Sequence, residues 1–191
     1  MPTRTRRRTA RPTTRPRRAG RGAGTGEVAD RSLGFYAFHV RDVMTRKVVT
    51  VGEADSLEEA ARRMVIARVS GLPVLSRAGR LVGVVSQKDI VRLLNARAGL
   101  TVPRGLFDLL LDNRTGETSE IAAAARRVLE EARVRDAMSR PAISVRADTP
   151  LDEAIGLLIS NKINRLPVVT QGAVVGIVTR HDLLAGVSES L

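Results

Sequence analysis

The chain contains no cysteine and no tryptophan, and only one tyrosine and three phenylalanines among its 191 residues. Without cysteine there is no disulfide framework, no thiolate metal site and no thiol nucleophile. The two histidines, His39 and His181, stand far apart, so a metal centre is not expected. Aromatics at 2% leave Val, Leu, Ile and Ala to build any core. No run reaches the roughly 18 apolar residues a membrane helix needs, and no apolar segment follows the basic N-terminus as a secretory signal requires. These absences point to a soluble cytoplasmic protein. Also missing are a phosphate-binding Gly-rich loop, a dinucleotide fingerprint after a strand and a Gly-x-Ser-x-Gly elbow. The acids are scattered rather than clustered, so no catalysis is expected.

The net charge of +12 is unevenly placed: residues 1–26 hold nine arginines and no acid, while the other 165 residues carry 23 basic and 20 acidic side chains. Residues 1–30 are Arg, Thr, Pro, Gly and Ala with little to bury. They cannot offset an ordering cost of roughly 1–2 kcal/mol per residue, which predicts a disordered tail. Such an arm can neutralise nucleic-acid phosphates; the blander readings are a solubilising tail or a start codon assigned too far upstream.

From Val40 onward the sequence repeats. Val40-Arg41-Asp42-Val43-Met44 returns as Val134-Arg135-Asp136-Ala137-Met138, and Thr50-Val51 as Ser144-Val145. Leu57-Glu58-Glu59-Ala60 matches Leu151-Asp152-Glu153-Ala154, and Leu72-Pro73-Val74 matches Leu166-Pro167-Val168. After a one-residue gap, Gly83-Val84-Val85-Ser86 matches Gly176-Ile177-Val178-Thr179, and Asp89 matches Asp182. Each unit reads as β-α-β-β-α. Val48–Val51 is a β-branched run. Leu57, Ala60, Ala61, Met64 and Val65 then recur at helical spacing, as do Leu151, Ala154, Ile155, Leu158 and Ile159. Asp55 and Thr149 are the expected caps, with Pro150 at the first helical position. Two strands follow, Pro73–Leu75 with Leu81–Val85 and Pro167–Val169 with Val174–Val178. A short helix closes each unit, Lys88 to Leu94 and His181 to Ala185. Units of this size are small for independent cores, so two halves packed about a pseudo-two-fold axis are expected to form one α/β (α+β) module.

The divisions expected are a tail at 1–30, repeats at 38–95 and 134–187, and a linker at 96–133. In the linker, Ile121, Ala125, Val128, Leu129 and Ala132 form the stripe of an amphipathic helix after a cap at Thr118 or Ser119. Leu106–Leu111 is a second apolar run, read as packed linker ahead of a lid or dimer contact.

The paired Val-Arg-Asp-x-Met, Leu-Pro-Val and Gly-x-Val-[Ser/Thr]-x-x-Asp motifs resemble tandem CBS (cystathionine β-synthase) domains of the stand-alone type. The resemblance implies an adenine nucleotide or adenosine derivative, AMP, ADP, ATP or S-adenosylmethionine, held between the repeats. It implies ribose contacts at Asp89 and Asp182, with Thr179 beside the latter, and hydroxyls facing the ligand at Thr50 and Ser144. Ser86 with Asp89 and Thr179 with Asp182 also fit capping boxes. Arg165, before the second Leu-Pro-Val, is the expected phosphate ligand. Gly71 in its place in the first repeat leaves the two clefts unequal. His181 lies near a phosphate position but reads more simply as an exposed helix-start residue. Gly83 and Gly176 are expected to allow close backbone approach. The family also implies a homodimer and a regulated partner protein. The alternative is a nucleic-acid-associated protein working through the Arg-rich arm, with the repeats as dimerising scaffold.

Overall fold

The computed structural model describes residues 38–98 and 120–188. The Arg-rich tail, the Leu106–Leu111 run and the cap expected at Thr118 or Ser119 lie outside the described residues.

The first repeat runs α1 (Val40–Val43), β1 (Val51–Gly52), α2 (Leu57–Ile66), β2 (Gly71–Leu75), β3 (Leu81–Ser86) and α3 (Gln87–Ala98). A linking helix, α4 (Glu120–Glu131), precedes the second set: α5 (Val134–Ala137), α6 (Leu151–Ser160), β4 (Arg165–Thr170), β5 (Ala173–Thr179) and α7 (Arg180–Ser188). β1 pairs parallel with β2, which pairs antiparallel with β3. β4 and β5 repeat the hairpin, and a parallel bridge from Val145 to Val168 stands where β1 would be. The mixed α/β fold is thus the expected one. The first strand is shorter than its β-branched run suggested, because only its last residues meet a neighbour.

The helix starts differ from expectation for a local reason. Ser56, not Asp55, caps α2, its hydroxyl accepting from the Glu59 amide at 3.2 Å. Asp55 instead accepts from the Gly52 amide at 2.9 Å. In the second repeat Thr149 accepts from the Arg146 amide at 3.0 Å, and Pro150 rather than Thr149 is the cap residue of α6. Each of these side chains closes the turn before the helix, which short polar side chains do as readily as capping.

The aliphatic core forms two clusters, and the opening motifs are exchanged between them. Val40 is fully buried among Leu151, Leu158, Leu166 and Val178 of the second repeat. Val134 and Met138 are buried with Leu57, Met64, Leu72 and Ile90 of the first. The backbone bonds are reciprocal. Val40 donates to the Thr149 carbonyl at 2.9 Å, and Val134 to that of Asp55 at 2.9 Å. Thr45 bridges Ile177 as Ser139 bridges Val84, so each lead-in extends the other repeat's sheet.

Two motif residues gain their reason here. A Cβ on Gly83 would lie 2.7 Å from Met138 Sδ and 2.9 Å from the Ser139 carbonyl oxygen; on Gly176 it would lie 2.5 Å from Met44 Sδ. Each motif methionine therefore crosses a glycine of the opposite repeat, the close approach the sequence suggested. Asp42 and Asp136 accept from the backbone amides of His39 and Arg133 at 2.8 and 2.9 Å, closing the short helices.

α4 joins the first cluster through Ala125 and Leu129, with Val128 partly buried and Ala132 buried just past its end. It is the packed linker helix its stripe predicted. No helix among the described residues is long and apolar enough to cross a membrane.

Candidate functional site

The exchange of lead-ins leaves two clefts, related by the pseudo-two-fold. The first, about 440 Å³, lies between the start of α3, the segment after α5 and the turn between α6 and β4. The second, about 750 Å³, lies between the start of α7, the segment after α1 and the turn between α2 and β2. Both fall in the range of roughly 300–1,000 Å³ common for small-ligand sites. Ser70, Asn164 and Arg165 line both and form the wall between them.

Asp89 stands in the first cleft, and Thr179 and Asp182 stand in the second. Both acids cap their helices. Asp89 Oδ2 accepts from the Ser86 amide at 3.0 Å and its hydroxyl at 2.5 Å. Asp182 Oδ2 accepts from the Thr179 amide and hydroxyl, each at 2.8 Å, while the Asp182 amide donates back to the hydroxyl at 3.3 Å. In both acids the accepted bonds fall on Oδ2. Asp89 Oδ1 meets Arg92 Nη1 at 3.5 Å, and Asp89 is only 8% exposed. The residue matching Arg92 in the second repeat is Ala185, and Asp182 makes no ion pair among the described residues.

Arg165 sits on the wall. Its Nη1 donates to the Gly71 carbonyl at 2.5 Å and its Nη2 to Ser70 Oγ at 2.6 Å. Burial pushes its pKa below the ordinary guanidinium value, and the charge of Asp89 pushes it partly back. Gly71, the residue matching Arg165, is what admits it: a Cβ there would lie 2.6 Å from Arg165 Nη1. The missing charge at the Gly71 position therefore does not leave the clefts without this arginine, because Arg165 lines both.

Thr50 and Ser144 line neither cleft. Each follows a lining residue, Val49 and Ile143, and the Thr50 carbonyl accepts from Arg63 at 2.6 Å. His181 is exposed and lines the second cleft.

The structure adds cations that sequence reading did not assign. Lys88, Arg92 and Lys162 join Arg165 in the first cleft, and Lys47, Arg68 and Arg180 join it in the second. Each cleft holds one carboxylate against them. Arg68 and Lys162 occupy equivalent αL positions, both with φ 53°. They end α2 and α6 in Schellman turns. Arg68 and Val69 donate to Val65 and Met64, and Lys162 and Ile163 to Ile159 and Leu158, at 2.9–3.1 Å. Glycine is the favoured residue at this position, since αL costs other residues about 1–2 kcal/mol. A sequence signal existed: a basic residue placed just past a helix end where glycine is usual. Lys162→Gly is expected to raise unfolding stability by about 0.5–1 kcal/mol net of glycine's entropy. Thermal unfolding without ligand measures it; a lower Tm would show that the lysine itself stabilises the turn.

The sequence profile of the CBS domain matches residues 40–96 and 134–189. The chain belongs to the CBS domain family. It is 34% identical over 149 residues to an uncharacterised protein, MJ1426, of Methanocaldococcus jannaschii, covering 76% of this chain and 88% of that one. The inosine-5'-monophosphate dehydrogenase of the same archaeon is 24% identical over 144 residues; the match covers 75% of this chain but 22% of that longer protein. Among solved structures, the CBS-pair protein CBSX2 of Arabidopsis thaliana in complex with AMP superposes with a TM-score of 0.60 at 28% identity, covering 80% of this chain and 98% of that one. This CBS pair thus shares its fold with a protein that holds AMP.

Proposed function

We propose that this CBS pair is a non-catalytic sensor of a phosphorylated adenosine derivative, AMP being the simplest member of the class. The observation that carries the reading is the composition of the clefts. Each brings one aspartate at a helix start together with several cations and aliphatic side chains. Val84, Ile143 and Ile163 in the first cleft, and Val48, Val69 and Ile177 in the second, offer flat contact to a purine. The carboxylate suits vicinal ribose hydroxyls, and the cations suit phosphate. The excess of cations favours a phosphate-bearing ligand over the sulfonium of S-adenosylmethionine. The AMP complex of CBSX2 supports the same assignment.

A ligand acts by its different affinity for different arrangements. Held between lead-ins exchanged from the two repeats, a nucleotide would bias how the repeats sit, and a partner protein would read that. The same reading expects a homodimer: Ile66 on α2 and Ile159 on α6 are 72% and 64% exposed, apolar area for a second copy to cover.

Asp182→Ala tests the reading. The cap loss is expected to cost about 1 kcal/mol of stability. AMP binding by calorimetry is expected to weaken about tenfold at the second cleft, as loss of a hydrogen bond to a charged group implies. Unchanged AMP affinity in a folded Asp182→Ala protein would remove the ribose role.

A further inference from the structure

We infer that the two clefts compete for one guanidinium, so that a phosphate-bearing ligand in one weakens phosphate binding in the other. This rests on the nucleotide reading above and adds a coupling between its two sites. Three observations on the partition support it. Arg165 lines both clefts, and Ser70 and Asn164, which also line both, carry no charge. Arg165 makes no ion pair among the described residues; its donors go to a neutral carbonyl and a neutral hydroxyl. Its pseudo-symmetry partner is Gly71, where a Cβ would lie 2.6 Å from the guanidinium and 2.7 Å from the Val85 carbonyl oxygen. The fold therefore has room for a single arginine on the axis, although both clefts border it.

A planar guanidinium grips a phosphate through two parallel N–H bonds, in a geometry that can face one anion squarely. Once it turns to a phosphate on one side, the other cleft keeps only its own cations. The second phosphate also meets the charge of the first across the shared wall of Ser70, Asn164 and Arg165. Ligands without phosphate need not compete, because the aliphatic walls and the aspartates belong to each cleft separately. Coupling of this kind is reciprocal, whichever cleft fills first.

The experiment is calorimetry of AMP and of adenosine binding to the full chain. Wild type is expected to bind two adenosines per chain with similar affinity. It is expected to bind AMP in two steps separated by about tenfold or more, within the roughly 5- to 150-fold range of coupled sites. In Arg165→Gln the first AMP step falls to near the second and the separation closes. Arg165→Lys, which keeps one charge on the axis without the planar fork, is expected to keep part of the two-step separation. That control separates the charge from any packing effect. Two equal and independent AMP sites in wild type would overturn the competition while leaving the nucleotide reading intact. So would a separation that survives Arg165→Gln. Absence of any adenosine or AMP binding would overturn the nucleotide reading and this inference with it.

Discussion

Replacing Val40 with aspartate is expected to destabilise the protein by about 4 kcal/mol or more, and to loosen the second repeat before the first. Val40 has no exposed surface, and its neighbours Leu151, Leu158, Leu166 and Val178 offer no hydrogen-bond partner. A carboxylate there either stays ionised without solvent or takes up a proton, and both are unfavourable by several kcal/mol. The position of the damage is the sharper expectation. Val40 opens the first repeat in sequence, but its side chain and its bond to Thr149 belong to the second. Val134→Asp should do the reverse, since Val134 is buried with Leu57 and Leu72 and donates to Asp55. Hydrogen exchange followed by mass spectrometry distinguishes the two: Val40→Asp lowers protection first in Arg165–Thr179, Val134→Asp first in Gly71–Ser86. Protection lost first in the mutated residue's own repeat would contradict the exchange of lead-ins.

That exchange marks the boundary of what the sequence made legible. Val40-Arg41-Asp42 and Val134-Arg135-Asp136 announce that two units are alike, and helical spacing from Leu57 and Leu151 places their core helices. Neither signal says which half the opening motif packs against. That depends on pairings such as Thr45 with Ile177, which lie far apart in the chain and leave no local pattern. The capping boxes at Asp89 and Asp182 were readable because hydroxyl and acid stand three residues apart; the structure completes the second, while at the first the acid bonds back to Ser86. The shorter first strands were not, because β-branched composition reports a preference while pairing needs a neighbour.

The site divides in the same way. Asp89, Asp182 and Arg165 could be picked out from short motifs, and the structure sets them along two adjoining clefts. Thr50 and Ser144 follow lining residues without lining either cleft themselves. The role of Gly71 could not be read as an absence within one repeat. Its meaning comes from Arg165 reaching across the axis to its carbonyl. Arg68 and Lys162 were visible as basic residues but not as helix-ending ones, so the structural cost of placing them in the clefts went unseen.

The second large effect concerns the phosphate itself. If the cations of each cleft are there for an anion, AMP must bind more tightly than adenosine. A hydrogen bond to a charged group contributes about 1.5–3 kcal/mol net. Arg165 is half-buried and lacks an anionic hydrogen-bond partner, so its contact with phosphate should fall toward the upper part of that range. The expected preference at the first-filled cleft is about 30- to 150-fold in Kd. It should shrink with added salt, though less than for fully exposed charges. Adenosine and AMP share base and ribose, so their difference isolates the cations from the aspartates and the aliphatic walls.

The most direct measurement is therefore a thermal-shift and calorimetric comparison of adenosine with AMP on the full chain at fixed ionic strength. AMP at a hundredfold its Kd should add about 2.7 kcal/mol of stability, with adenosine at the same concentration adding far less. Equal shifts from the two, or a shift from neither, would contradict a phosphate-reading CBS pair.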